Sequence, residues 1–179
     1  MEQNKKLSYS CKIFSVWEED VLLQNGKTTR QSWIEHKPTV AVIPVNDKNE
    51  LLLIRQFRIP ARQNLLEIPA GSMDHGEESP EHCAGRELAE ETGYRAGSLV
   101  RLFAGYLLPG YCNEFMYFFL AQDLVYEPLT PDEDEFIEVF PTSFARAAEL
   151  LKNGEMVDAK SALGIMLAEN YLNGQTSFS

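Results

Sequence analysis

Two rhythms divide this chain. The first seventy or so positions are built from short runs that alternate between apolar and polar residues or are apolar throughout, which is the signature of strands. KIFSVWEEDVLL and TTRQSWIEHK flank Gln24-Asn25-Gly26-Lys27. Asn-Gly between β-prone runs predicts a hairpin, because both residues tolerate the positive φ that a tight turn requires. TVAVIPV and ELLLIRQFR surround Asn46-Asp47-Lys48-Asn49 and predict a second hairpin. Their unbroken apolar character predicts strands covered on both faces. NLLEIPAG predicts one short strand ending in a Pro-Ala-Gly turn.

The period then lengthens. Ser79 followed by Pro80 predicts a helix start, with the hydroxyl as cap and proline at the first helical position, and Gly93 stands where a left-handed stop is expected. SLVRLFAGYLL and EFMYFFLAQDL predict strands separated by Pro109-Gly110-Tyr111, and EFIEVFP predicts another. From Thr142 to Asn153, Phe144, Ala147, Ala148 and Leu151 recur at helical spacing, and Asp158 to Leu172 predicts a further helix. Strands, one central helix, more strands and terminal helices predict an α+β class, an α/β/α sandwich with a mixed sheet rather than a βαβ repeat.

Bulk composition narrows the function classes. A chain of 179 residues buries enough surface to fold without staples, and a single domain is the simplest reading. Cys11, Cys83 and Cys112 form neither a zinc spacing nor a paired set, which favours a cytoplasmic location. No secretory leader and no membrane-length apolar run is read from the sequence. The net charge of −11 repels phosphate polymers and anionic lipid, so neither nucleic acid nor membrane is expected as a partner. A small phosphorylated substrate escorted by a cation is compatible with it.

GRELAEETGY carries the candidate chemistry. Glu87, Glu90 and Glu91 fall on one helical face, and like charges at this spacing cost about 0.2–0.5 kcal/mol each. Glu90 and Glu91 also lie in the last turn, where the helix dipole opposes negative charge. A solvated acidic face is one reading. A divalent cation reverses the balance, since Mg²⁺ or Mn²⁺ prefers hard oxygen ligands. Arg86 offers a guanidinium fork that fixes a carboxylate rotamer before metal arrives.

The stretch GSMDHGEESPEHCAGRELAEETGY resembles the signature box of the Nudix hydrolases. Its second half, Arg86 through Tyr94, is complete. In the first half the interval from Gly71 suits Glu77 and the interval to Arg86 suits Glu78, which leaves both open for the loop-glutamate role. RQFR with LLEIPAG, LLPGYCNE with Pro109 sixteen positions after Gly93, PDEDEFIEV, and GEMVDAKSALGIMLA resemble segments of the ADP-ribose pyrophosphatase subfamily. The resemblance implies Mg²⁺, with Mn²⁺ as a substitute, held by Glu87, Glu91 and the Ala70 carbonyl, with Glu90 completing the acidic face. It implies a catalytic base at Glu135, with Glu133 as rival, and Glu135 also as a further ligand. Arg58 and Glu67 are implied as substrate contacts, Trp33 as a base-stacking aromatic, and Pro109 and Glu114 as substrate-binding positions.

Residues 1–37 are expected to form an N-terminal β-hairpin extension that pairs a homodimer, and residues 38–179 the Nudix domain. Arg55, three positions from Arg58, points to the opposite strand face. Trp17 is read as packing, and His36, His75 and His82 as surface or loop residues. Cys83 and Ala84 are expected beside the glutamates, where small side chains leave room for a hydrated metal. The implied activity is cleavage of ADP-ribose to AMP and ribose 5-phosphate. GDP-mannose or another nucleoside diphosphate sugar is the competing substrate. A non-catalytic ADP-ribose sensor is a reading of another class, weakened by the intact glutamates.

Overall fold

The computed structural model describes residues 4–129 and 137–174. The chain divides into two compact units, one formed by residues 1–38 and 105–116 and the other by residues 39–104 and 117–179.

In the first unit, β1 (Lys6–Ser10), β2 (Phe14–Leu22) and β3 (Thr28–His36) form an antiparallel sheet in that order. The Asn-Gly hairpin is present, with Gly26 at φ 79°. β1 is a strand that the sequence analysis did not single out: its alternation is limited to Leu7 and Tyr9, and all five residues are exposed. The segment after Pro109 docks on the end of β3: Ile34 N–H donates to the Tyr111 carbonyl, and Asn113 N–H donates to the Ile34 carbonyl.

The second unit holds two sheets. One has the order β7-β4-β9-β8, from β4 (Thr39–Pro44), β7 (Ala70–Ser72), β8 (Tyr94–Tyr106) and β9 (Phe115–Tyr126). The other has the order β10-β5-β6, from β5 (Glu50–Arg58), β6 (Gln63–Glu67) and β10 (Glu138–Ser143). Two expectations are corrected here. TVAVIPV and ELLLIRQFR do not form a hairpin ladder: β4 and β5 belong to different sheets, joined only by a bridge from Val45 to Leu51. NLLEIPAG is not one strand but two, β6 and β7, which part at Ile68-Pro69. Proline cannot donate to a ladder, so the chain changes sheets there.

Three helices complete the unit: α1 (Pro80–Thr92), α2 (Phe144–Lys152) and α3 (Ala159–Leu172). β4 is buried along its whole length, and its alternate side chains meet different helices. Val40 and Val42 pack with Cys83, Ala84 and Leu88 of α1. Ile43 lies on the opposite face against α3, where Gly164 leaves no room for a side chain: a Cβ there would stand 2.7 Å from Ile68 Cδ1. Helices on both faces of this strand make the fold α+β, an α/β/α sandwich. No helix among the described residues is long and apolar enough to cross a membrane.

Candidate active site

Local sequence fixes α1 at both ends. The Ser79 hydroxyl accepts from the His82 N–H at 3.2 Å, Pro80 opens the helix, and Gly93, at φ 79°, donates to the Ala89 carbonyl. Cys83, Ala84 and Leu88 turn into the core and set the rotation of the helix. This overturns the expectation that Cys83 and Ala84 leave space for metal: both are completely buried. Burial first, then the nearby Glu78 charge, pushes the Cys83 thiol up to about 12, so it stays protonated and inert.

With the apolar face so anchored, the next face of α1 meets β7. The Glu87 carboxylate lies directly on Gly71, where a Cβ would stand 2.1 Å from Glu87 Cδ. Only a residue without a side chain permits that approach. One turn later, Glu91 is 5% exposed and its Oε2 accepts from the Ala70 N–H at 2.9 Å. Two carboxylates four residues apart thus converge on the Ala70–Gly71 backbone.

Arg86 organises the remaining acidic groups. Its Nε and Nη2 donate to the two Glu78 oxygens at 3.1 and 3.2 Å, and Nη1 donates to Glu90 Oε2 at 2.8 Å. Nη1 also lies 2.7 Å from Glu87 Oε1, and Nη2 donates to the Ser72 carbonyl at 3.3 Å. The guanidinium therefore holds three carboxylates and the β7 backbone. Burial works against its charge, but Glu78 and Glu87 outweigh burial and raise its pKa. Burial would likewise raise the Glu78 pKa, yet hydrogen bonds from Arg86 and His82 lower it to about 2. Of the two loop glutamates left open by spacing, Glu78 is the one in contact with Arg86, and Glu77 is exposed.

A second ionic cluster lies at the end of β6. Arg58 Nε and Nη2 donate to both oxygens of Glu67, each at 2.8 Å. Lys160 Nζ also donates to Glu67, and to Asp158 Oδ2 at 2.9 Å. Asp158 caps α3 by accepting from the Ser161 N–H at 3.0 Å, and Ser161 Oγ accepts from the Ile68 N–H at 2.8 Å. Burial would raise the Glu67 pKa, but Arg58 and Lys160 together lower it. The Arg58 pKa is raised by its hydrogen bonds to Glu67 against burial, with a further contribution from the Glu91 charge, so the two clusters sense one another. Arg55 faces the other way, 3.8 Å from Glu138 and over the Phe140 ring.

Sequence reasoning missed Lys160, Asp158 and Ser161. Glu67 and Lys160 are 93 positions apart, and no local pattern announces such a pairing.

The other expected contacts belong to the first unit. Trp33 stands directly opposite Trp17 in the β2–β3 ladder. Trp33 Nε1 donates to Glu19 at 3.2 Å, Trp17 Nε1 donates to Glu35 at 2.7 Å, and Lys5 Nζ sits 4.6 and 4.0 Å from the two ring centroids. The two tryptophans are thus held alike. Pro109 is exposed, and Glu114 is half-buried with its N–H directed to Cys112 Sγ at 3.4 Å. Glu133 and Glu135 lie outside the described residues.

Among the described residues, no three His, Cys, Asp or Glu side chains gather in an arrangement that could by itself hold a metal ion. The donors that are present nevertheless suit a hard divalent cation. Glu87 and Glu91 supply carboxylate oxygens against the Ala70–Gly71 backbone, and Arg86 holds Glu87 together with two further carboxylates, Glu78 and Glu90.

The NUDIX domain model matches residues 35–162. The chain is 40% identical to the ADP-ribose pyrophosphatase of Bacillus subtilis, across 90% of this chain and 88% of that protein. It is 38% identical to the GDP-mannose pyrophosphatase of Yersinia enterocolitica, across 66% of each. A solved structure described as an ADP compounds hydrolase superposes with a TM-score of 0.83 at 28% identity, covering 97% of this chain and 94% of the other.

Proposed function

This chain belongs to the NUDIX domain family and is a Nudix hydrolase; on that premise we propose that it cleaves the diphosphate of ADP-ribose, with Mg²⁺, to AMP and ribose 5-phosphate. The observation that carries the reading is the convergence of Glu87 and Glu91 on the Ala70–Gly71 backbone. Identity to the Bacillus enzyme over most of the chain supports the choice of substrate.

Glu87, Glu91 and the Ala70 carbonyl would hold Mg²⁺ or Mn²⁺. Such an ion, when bound, withdraws charge from a phosphoryl oxygen and lowers the pKa of a water. The chain's own groups do the rest. Arg86 keeps Glu87 and Glu90 aligned before substrate arrives, so little reorganisation remains at the moment of reaction. Arg58, whose side chain is 38% exposed, swings its fork toward the diphosphate, while Glu67 keeps Lys160 as its partner. Glu135, or Glu133 in its place, takes the proton of the attacking water as one phosphorus–oxygen bond forms and another breaks. Trp33 stacks on the base, and Pro109 and Glu114 border the substrate. We place the enzyme in the cytoplasm as a homodimer joined through residues 1–37; all three cysteines are free.

The test is product release from ADP-ribose, GDP-mannose, other nucleotide sugars, diadenosine polyphosphates and nucleoside triphosphates, with and without Mg²⁺. ADP-ribose should be the best substrate and turnover should require the ion; a preference for GDP-mannose would replace the substrate. Glu91→Gln should lose about a hundredfold or more in kcat. Parental turnover by that variant would refute the metal assignment.

A further inference from the structure

Alternate residues of a strand share a face, so Ile54, Gln56 and Arg58 of β5 lie together. Across the ladder they stand opposite Glu67, Leu65 and Gln63. Arg58 starts opposite Gln63 but bonds to Glu67, opposite Ile54. Its side chain therefore runs back along the strand, on the face that Gln56 shares. On that face, Gln56 Oε1 is sealed from solvent, and it is the single buried side-chain nitrogen or oxygen without a hydrogen-bond partner among the described residues. Buried polar atoms are satisfied as a rule, so an unpaired one calls for a partner.

We propose that Gln56 is a specificity-determining residue whose Oε1 accepts a hydrogen bond from a ribosyl hydroxyl flanking the bound diphosphate. The inference rests on the ADP-ribose reading and deepens it. An amide oxygen needs a donor. Ionised phosphate oxygens offer none, whereas the sugars on either side of a diphosphate carry hydroxyls. Gln56 and Arg58 share one face of β5, so a diphosphate that draws the Arg58 guanidinium brings its flanking sugars to the same face as Gln56. The same motion that sends Arg58 to the diphosphate opens that shared face. A substrate lacking a hydroxyl at that point would leave the oxygen orphaned, and a site built to bind a hydroxyl rejects such analogues strongly.

Gln56→Met tests this, because methionine has nearly the same length and no acceptor oxygen. Removal of an unsatisfied buried acceptor should raise the melting temperature of the free protein by a few degrees. Loss of the substrate contact should raise KM for ADP-ribose about tenfold while kcat stays within about twofold. A KM within twofold of the parent overturns the assignment. So does a melting temperature at or below the parent's, because a donor would then already hold the oxygen in the free protein. The parent separates the two failures. No turnover of ADP-ribose with Mg²⁺ removes the substrate reading and this proposal together, whereas normal parental turnover with an unmoved KM in Gln56→Met removes this proposal alone.

Discussion

The two ionic clusters of the second unit have opposite arithmetic. Around Arg86, one guanidinium faces Glu78, Glu87 and Glu90. Around Glu67, one carboxylate is gripped by Arg58 and Lys160, and Asp158 balances the second cation. The first cluster is short of positive charge, which suits the divalent cation proposed for it. The second is balanced by itself, with Arg58 and Lys160 matched by Glu67 and Asp158. The Arg86 cluster is therefore expected to matter most to activity and the Glu67 cluster most to stability.

Glu67→Ala is the severest break in that contrast. It leaves the largely buried Lys160 with Asp158 alone and Arg58 with no carboxylate, and breaking a buried ionic group in this way costs about 3–5 kcal/mol. Urea unfolding checks this, and a loss under about 1 kcal/mol would show that the cluster is not structural.

Gly71→Ala probes the other side more gently. The added methyl displaces the flexible end of Glu87 rather than backbone, so stability should fall by no more than about 1 kcal/mol. The Mg²⁺ concentration for half-maximal rate should rise about tenfold. An unchanged metal requirement would sever Glu87 from the ion.

A third test is one of pH. The Glu78 pKa is lowered from 4.5 to about 2 in the folded protein, so its contribution to stability is complete above about 4.5 and fades as pH falls toward 2. Glu78→Gln should therefore be less stable than the parent at neutral pH, and the difference should narrow below pH 4.5 in acid melts. A constant difference across that window would mean that Arg86 does not hold Glu78 in its ionised form.

What the sequence disclosed follows a physical divide. Helix α1 was legible because Ser79, Pro80 and Gly93 act on their immediate neighbours, and the first hairpin because Asn25-Gly26 does. Interactions between distant segments were not. Apolar runs announced β4 and β5 as buried strands, but no pattern in either run states which sheet it enters. The same holds for Cys83 and Ala84, whose small size suits both a core and a hydrated site until the packing of Val40 and Val42 decides. Spacing placed Glu87, Glu90 and Glu91 on one helical face and the family resemblance singled out Glu87 and Glu91 among them, whereas Glu78 needed the Arg86 contact to separate it from Glu77.

The change of sheets at Pro69 links regions that would otherwise open separately. The Ile68 N–H is held by Ser161 of α3, the Pro69 carbonyl by the Val42 N–H of β4, and the Ala70 N–H by Glu91 of α1. Three consecutive residues are thus fastened to three different elements, and the amides of Ile68, Ala70 and Val42 (the last held by the Pro69 carbonyl) cannot exchange with solvent unless these contacts let go. Stiffening one anchor protects the other two, so this short crossing behaves as one cooperative unit.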